Sequence, residues 1–144
     1  MPIDSALVLR AKSDLTATET TTAIDVEGGS FCDLVVQWTA ATGTSPTADI
    51  DLEVRVDGSN YKKLIKLRQF IGTDDAASPK SRFRVARPIY IPRSTVADSW
   101  AGALNRVQVR LVNTVGGSNS PTFANFEAWL ELAGTGSTEG REQL

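Results

Sequence analysis

Asp49-Ile50-Asp51-Leu52-Glu53-Val54-Arg55-Val56 places an apolar residue at every even position and a charge at every odd one. A period of two is that of a β-strand with one face buried and the other in water. A helix would need a repeat near 3.6. The run stops at Asp57-Gly58-Ser59-Asn60. Asp-Gly accepts the positive φ angles of a tight reversal, so a hairpin is predicted there. Tyr61 to Phe70 then becomes the returning strand.

The same period recurs on both sides. Cys32, Leu34, Val36 and Trp38 alternate with Asp33, Val35, Gln37 and Thr39. Val107, Val109 and Leu111 alternate with Arg106, Gln108 and Arg110 inside a strand predicted from Leu104 to Asn113. Phe126, Ala128, Leu130 and Leu132 alternate with Glu127, Trp129 and Glu131. Ala6 to Arg10 and Thr20 to Val26 are shorter candidates. Phe83, Val85, Ile89 and Ile91 form a further run interrupted at Pro88, which marks an edge strand or a bulge because proline cannot donate to a ladder. Turns are predicted at Gly28-Gly29-Ser30, Thr42 to Pro46, Gly72 to Asp75 and Val115 to Pro121. Only Ser94 to Ala103 offers even a short helical turn. The pattern predicts an all-β chain: an antiparallel β-sandwich, a jelly roll of about eight strands, with a closed barrel as the alternative. It reads as a single domain over 1–144, with arms at 1–5 and 134–144. Met1 to Lys12 or Gly134 to Leu144 is expected to become ordered on assembly.

The chain has 144 residues, 41% of them hydrophobic and 22% charged, enough to bury a core without staples and too apolar for wholesale disorder. No apolar run is long enough for a membrane helix, and the start of the chain lacks the pattern of a cleaved signal. There is no histidine and a single cysteine, Cys32. Ser-His-Asp catalysis, Cys-His catalysis and a His- or Cys-rich zinc site are therefore excluded within the chain. A lone cysteine also forms no internal disulfide, which fits folding in a reducing cytosol.

The net charge of −2 hides an asymmetry. Residues 1–61 carry three basic and ten acidic side chains, a net of −7. Residues 62–93 carry nine basic and two acidic ones, a net of +7. One reading is internal: Lys62, Lys66 or Arg68 sit across the hairpin from Asp49, Asp51 and Glu53, where opposite charges add about 0.2–1 kcal/mol each. The other is external: Lys80, Arg82, Arg84, Arg87 and Arg93 lack acids nearby in sequence and would suit an acidic surface on another subunit. Nucleic acid is a poor fit at a pI near 5.1.

No other constellation assembles. Asp49, Asp51 and Glu53 share one face, but alternate strand positions lie about 6.5–7 Å apart, too far for three to grip one ion. Asp57 to Asn60 lacks the ligand series of a calcium loop. Gly116-Gly117 does not precede a helix, as a phosphate loop would. No carboxylate pair is singled out for glycoside hydrolysis. No metal, cofactor or catalytic residue is expected, and the chain reads as non-enzymatic. Among the aromatics, Trp38 is in phase with the core. Trp129 is out of phase with Phe126, Leu130 and Leu132, so it is either a partner anchor or is covered by its own chain. Trp100, in a predicted loop, is equally open.

The segment Phe31 to Phe70 resembles the small β-sandwich structural proteins of tailed-bacteriophage virions. The features that carry the likeness are Cys32-Asp33-Leu34-Val35-Val36-Gln37-Trp38, then Ser45-Pro46-Thr47, then Ile50 to Val54. These lead into Val56-Asp57-Gly58-Ser59-Asn60-Tyr61-Lys62-Lys63-Leu64. The resemblance implies a capsid decoration (cement) protein. Such a protein sits on the outer surface of the phage head and stabilises contacts between major capsid subunits, as a homodimer or homotrimer. It would be made in the bacterial cytoplasm, with no nucleic-acid or membrane partner. Two alternatives stand beside it: a tail, fibre or baseplate component for adsorption, and a carbohydrate-binding module. In the first, Tyr90, Trp100 and Trp129 are the candidates for stacking on a glycan; the second would need an exposed aromatic platform and saturable binding to a polysaccharide.

Overall fold

The computed structural model describes residues 7–72, 83–95 and 106–132, with side chains at all of these except Phe83 and Leu132. They form nine strands: β1 (Val8–Leu15), β2 (Glu19–Thr20), β3 (Ile24–Glu27), β4 (Ser30–Trp38), β5 (Ala40–Arg55), β6 (Lys62–Lys66), β7 (Phe70–Ile71), β8 (Phe83–Ile91) and β9 (Arg106–Leu132). The chain is all-β and every pairing is antiparallel. No helix among the described residues is long and apolar enough to cross a membrane.

Three courses of chain run side by side, with β9 in the middle. Along one edge of β9 lie β1, β2 and β3 in succession, from Val8 opposite Trp129 to Glu27 opposite Arg106. Along the other lie β4 and then β5, from Cys32 opposite Leu132 to Arg55 opposite Gln108. β8 borders β4, while β6 and β7 border β5.

The ribbon doubles over at its middle. A Cβ built on Gly72 would lie 2.6 Å from Pro46 Cγ and 2.7 Å from Ala41 Cβ. In a straight strand residues 41 and 46 would be about 17 Å apart, so β5 bends back sharply between them. β9 bends with it. Positive φ angles occur at Gly43 and Ser45 on one strand and at Gly117, Asn119 and Ser120 on the other. The ladder slips register between Thr42 and Thr44 and again between Thr44 and Thr47.

Doubling over gives two layers of four. One is β8, β4, the second half of β9, and β1. The other is β6 with β7, β5, the first half of β9, and β3 with β2. Counting the joined pieces as single strands and the halves of β9 as two, the chain-order numbers run 6-3-8-1 and 5-4-7-2. That is a jelly roll. The inward-facing residues of both layers meet in one core: Leu34, Val36 and Trp38 from β4, Ile50, Leu52 and Val54 from β5, and Val107, Leu111, Phe126 and Leu130 from β9. Trp38 is fully buried, edge-on to Phe123 at 5.0 Å.

Two sequence readings need correction here. Thr42 to Pro46 and Val115 to Pro121 are not reversals between strands. They are the two sides of one corner, and pairing continues through both. Glycine, serine and asparagine are needed there for positive φ, which a bulged corner demands as much as a turn does. The reversal at Asp57-Gly58 is where the alternation placed it, between β5 and β6, with Gly58 at φ 78°. Pro88 does lie on an edge strand. Gly29 N donates to Ile91 O at 2.6 Å, so the odd-numbered backbone groups of β8 face inward and Pro88 faces out.

Candidate interaction surface

The two outer faces differ in how their charges are satisfied. On the β5–β9 layer the acidic row is neutralised by the chain itself. Lys66 Nζ lies 3.4 Å from Asp51 and 3.8 Å from Asp49, and Lys63 Nζ lies 3.6 Å from Asp51. Gln69 donates to Asp49 at 3.0 Å. Glu53 is held not by a hairpin lysine but by Arg110 of β9, at 2.8 Å. The Arg110 guanidinium lies 3.7 Å from the centre of the Tyr61 ring. Arg55 donates to Gln108, which in turn donates to Asp25 at 3.0 Å. Of the three bases that the internal reading named, Lys66 lies on the acidic row as expected; Lys63, which it did not name, lies there too. A head-to-tail contact using Asp49, Asp51 and Glu53 would have to break these pairs.

The β8–β4–β9–β1 layer is different. Its outer face carries Phe31, Asp33, Val35 and Gln37 from β4, with Tyr90, Pro88, Ala86 and Arg84 opposite them on β8. Gln37 donates to Glu127 at 2.5 Å, and Lys12 approaches Glu127 at 4.0 Å. Arg84 lies over the Trp129 ring at 5.5 Å and 3.7 Å from Glu131, which accepts from Trp129 Nε1 at 2.9 Å. Trp129 is only 3% exposed. Of the two readings of an out-of-phase tryptophan, the structure shows the second, a ring covered within its own chain.

Towards the other end of this face, nothing among the described residues covers the aromatics. Phe31 is 67% exposed and Tyr90 44%, with ring centres 4.9 Å apart and planes tilted by 53°. A groove of about 380 Å³ lies beside them, lined by Phe31, Cys32, Asp33, Pro88, Ile89 and Tyr90. Arg93 packs near the start of β4. A Cβ on Gly29 would meet its Cγ at 3.2 Å, its Nε at 3.3 Å and its Cζ at 3.4 Å. Gly29 thus leaves room for that arginine two residues before Phe31.

Of the residues predicted to bind a partner, Lys80, Arg82 and Trp100 lie outside the described residues, as do the arms at 1–5 and 134–144. Arg84 and Arg87 lie on β8 and do not share a face; Arg93 lies two residues beyond its end. Arg84 is in phase with Pro88 and Tyr90 on the outer face. Arg87 is in phase with Val85 and Ile89, yet stands exposed at the edge. Arg84 has Glu131; no ion pair holds Arg87 or Arg93 among the described residues. Sequence reasoning passed over Phe31. The signal was present: Phe31 is out of phase with Cys32, Leu34, Val36 and Trp38, by the argument applied to Trp129.

Cys32 lies beneath the groove, 2% exposed, with its thiol pushed up to about 12 by burial and then by the neighbouring Asp33 carboxylate. It is a packing residue, not a nucleophile. Arg10 is also structural. It pairs with Glu19 at 2.5 Å and donates to Phe126 O at 2.8 Å and Ser13 O at 3.0 Å, where β1 parts from β2.

No protein-family model and no curated protein matches the chain. Among solved structures, a chain from "Structure of infectious bursal disease virus Gx strain" is similar, with 11% identity and a TM-score of 0.44. The match covers 88% of this chain and 30% of that one, so this chain spans less than a third of that chain's length. A likeness of that degree carries no role across.

Proposed function

We propose that the chain is a non-enzymatic structural protein of a virion, and more finely a decoration protein on the outer surface of a phage head. In this reading it stabilises contacts between major capsid subunits. The observation that supports it is the Phe31–Tyr90 face: a jelly roll presents two exposed aromatic rings and a groove on one side, with Arg93, which no ion pair holds among the described residues, close to the start of β4. Such a surface suits docking onto another protein subunit, and where that subunit is a second copy the remaining surface of the pair is left for the head. The resemblance over Phe31 to Phe70 directs the choice of partner; the fold alone would not, because jelly rolls serve many roles. The chemistry of the side chains agrees. The carboxylate row is held in ion pairs, the thiol is buried, and the pI near 5.1 gives no reason to expect nucleic acid. Partners are the major capsid protein and further copies of the chain.

Co-sedimentation with capsids of the phage that encodes the protein tests this. Saturable binding, with greater capsid resistance to heat, is expected. Recovery with tails and not with heads would overturn the decoration reading. Of the three aromatics named for glycan stacking, Tyr90 is exposed, Trp129 is buried and Trp100 lies outside the described residues. Phe31 and Tyr90 are tilted and do not form a flat platform, and saturable binding in a glycan screen is the result that would favour the carbohydrate alternative.

A further inference from the structure

We propose that the Phe31–Tyr90 face binds a second copy of this chain about a two-fold axis. Each Phe31 enters the groove of the other copy, and each Arg93 meets the other copy's Asp33. This deepens the self-association in the reading above and rests on it; attachment to a head is a separate matter and is measured separately.

Three observations converge. The first is shape. A two-fold contact brings one patch against itself, so the patch needs both a projection and a hollow. Phe31, 67% exposed, is the projection. The groove beside it, about 380 Å³, is the hollow, and its lining of Pro88, Ile89 and Tyr90 is largely apolar.

The second is charge. Elsewhere on this face the acids and bases are already engaged: Arg84 with Glu131 and Lys12 with Glu127. Around the rings, no ion pair holds Asp33 or Arg93 among the described residues. Their positions mirror each other. Arg93 lies against Gly29, two residues before Phe31, and Asp33 stands two residues after it. Each offset is about 6.6 Å along the strand. A two-fold that passes between Phe31 and the groove reverses strand direction, so that Phe31 of each copy faces the other's groove and the Arg93 end of one patch comes to the Asp33 end of the other.

The third is the β8 edge. Pro88 faces outward and leaves a gap in any ladder formed there, so the contact is made by side chains on the face and not by strand addition.

Sedimentation velocity on the full chain, over roughly 5–200 µM, measures it. A reversible monomer–dimer equilibrium is expected. Phe31→Ala weakens it about tenfold or more. Asp33→Arg and Arg93→Asp each weaken it. The double variant, with the pair exchanged, recovers to within about threefold of the parent. Circular dichroism melts confirm that each variant folds, and Tyr90→Ser stands in for any that does not. A monomer throughout the range overturns the proposal. So does a dimer indifferent to Phe31→Ala, or a double variant no better than the singles. A monomer that co-sediments with heads, and loses this with Phe31→Ala, assigns the face to the capsid instead. A dimer that ignores heads overturns only the capsid reading.

Discussion

Cys32 links burial to a pH dependence of stability. Its thiol is raised from 9.0 to about 12 in the folded chain, so the folded state favours the protonated form. Below pH 9 both states hold the proton and the group adds no slope. Between 9 and 12 the unfolded chain releases it while the folded chain keeps it. Stability then falls by about 1.4 kcal/mol per pH unit from this group. Urea titrations at several pH values above 9, for the parent and for Cys32→Ala, should differ in slope by that amount. The native thiol should also resist an aromatic disulfide reagent at pH 8 and react fully in urea. Asp57 works in the opposite sense. Its carboxylate accepts from Ser59 N at 2.8 Å and Asn60 N at 3.0 Å, and these bonds, that from Asn60 first, lower its pKa below 3.8. Its contribution is present above that value and fades as pH falls through the lowered one. The Asp57 turn was legible in the sequence because its causes lie within four residues. The cover over Trp129 was not, because Arg84 is 45 residues away in the chain.

At the scale of elements, the corner of the ribbon decides the architecture. Gly43 sits at φ 101°, and a Cβ there would lie 2.8 Å from Pro121 Cα. Gly117 sits at φ 113°, with Ser45 O at 2.7 Å. In both places the obstacle is backbone, which cannot swing aside. Gly43→Ala and Gly117→Ala should each cost at least about 2 kcal/mol, from conformational strain and the clash together. Gly29→Ala is the comparison. It also has a positive φ, but its nearest neighbours belong to the Arg93 side chain, which can move. Chemical unfolding midpoints should rank Gly29→Ala as the mildest of the three. This corner also shows why the sequence was misread in part. Alternation revealed β4, the second half of β5 and both halves of β9, because burial on one face imposes it. Gly43, Ser45, Gly117 and Asn119 signal only that φ is positive. Whether the chain then reverses or bends and goes on depends on a partner strand some 75 residues distant, as Asn119 Nδ2 bonding to Thr44 Oγ1 at 2.6 Å shows. The candidate face was half legible for the same reason. Tyr90 and the arginines of β8 could be named, but which of them stand beside Phe31 is a matter of cross-strand register.

At the scale of the molecule, β9 is the strand on which the rest depends. It borders β1, β2, β3, β4 and β5, and without it neither layer is continuous. The first described strand pairs with the last, Val8 with Trp129, so much of the structure rests on contacts between distant parts of the chain. Closing such loops costs entropy before any contact repays it, and folding of such topologies is slow. The inward residues of β9, among them Val107, Val109, Leu111, Phe123 and Phe126, are fully buried. Removing them opens the core along its whole length, at about 1.5–3 kcal/mol for each large side chain. Over the five named, that comes to about 8–15 kcal/mol, as large as the roughly 5–15 kcal/mol by which a domain is stable. A fragment of residues 1–105 should therefore be unfolded, with collapsed amide dispersion in its NMR spectrum and no cooperative melt. Adding a separate fragment of residues 106–144 should restore both, since β9 joins the others by pairing and packing alone. A cooperative melt from 1–105 by itself would instead show that the two layers form without their shared strand.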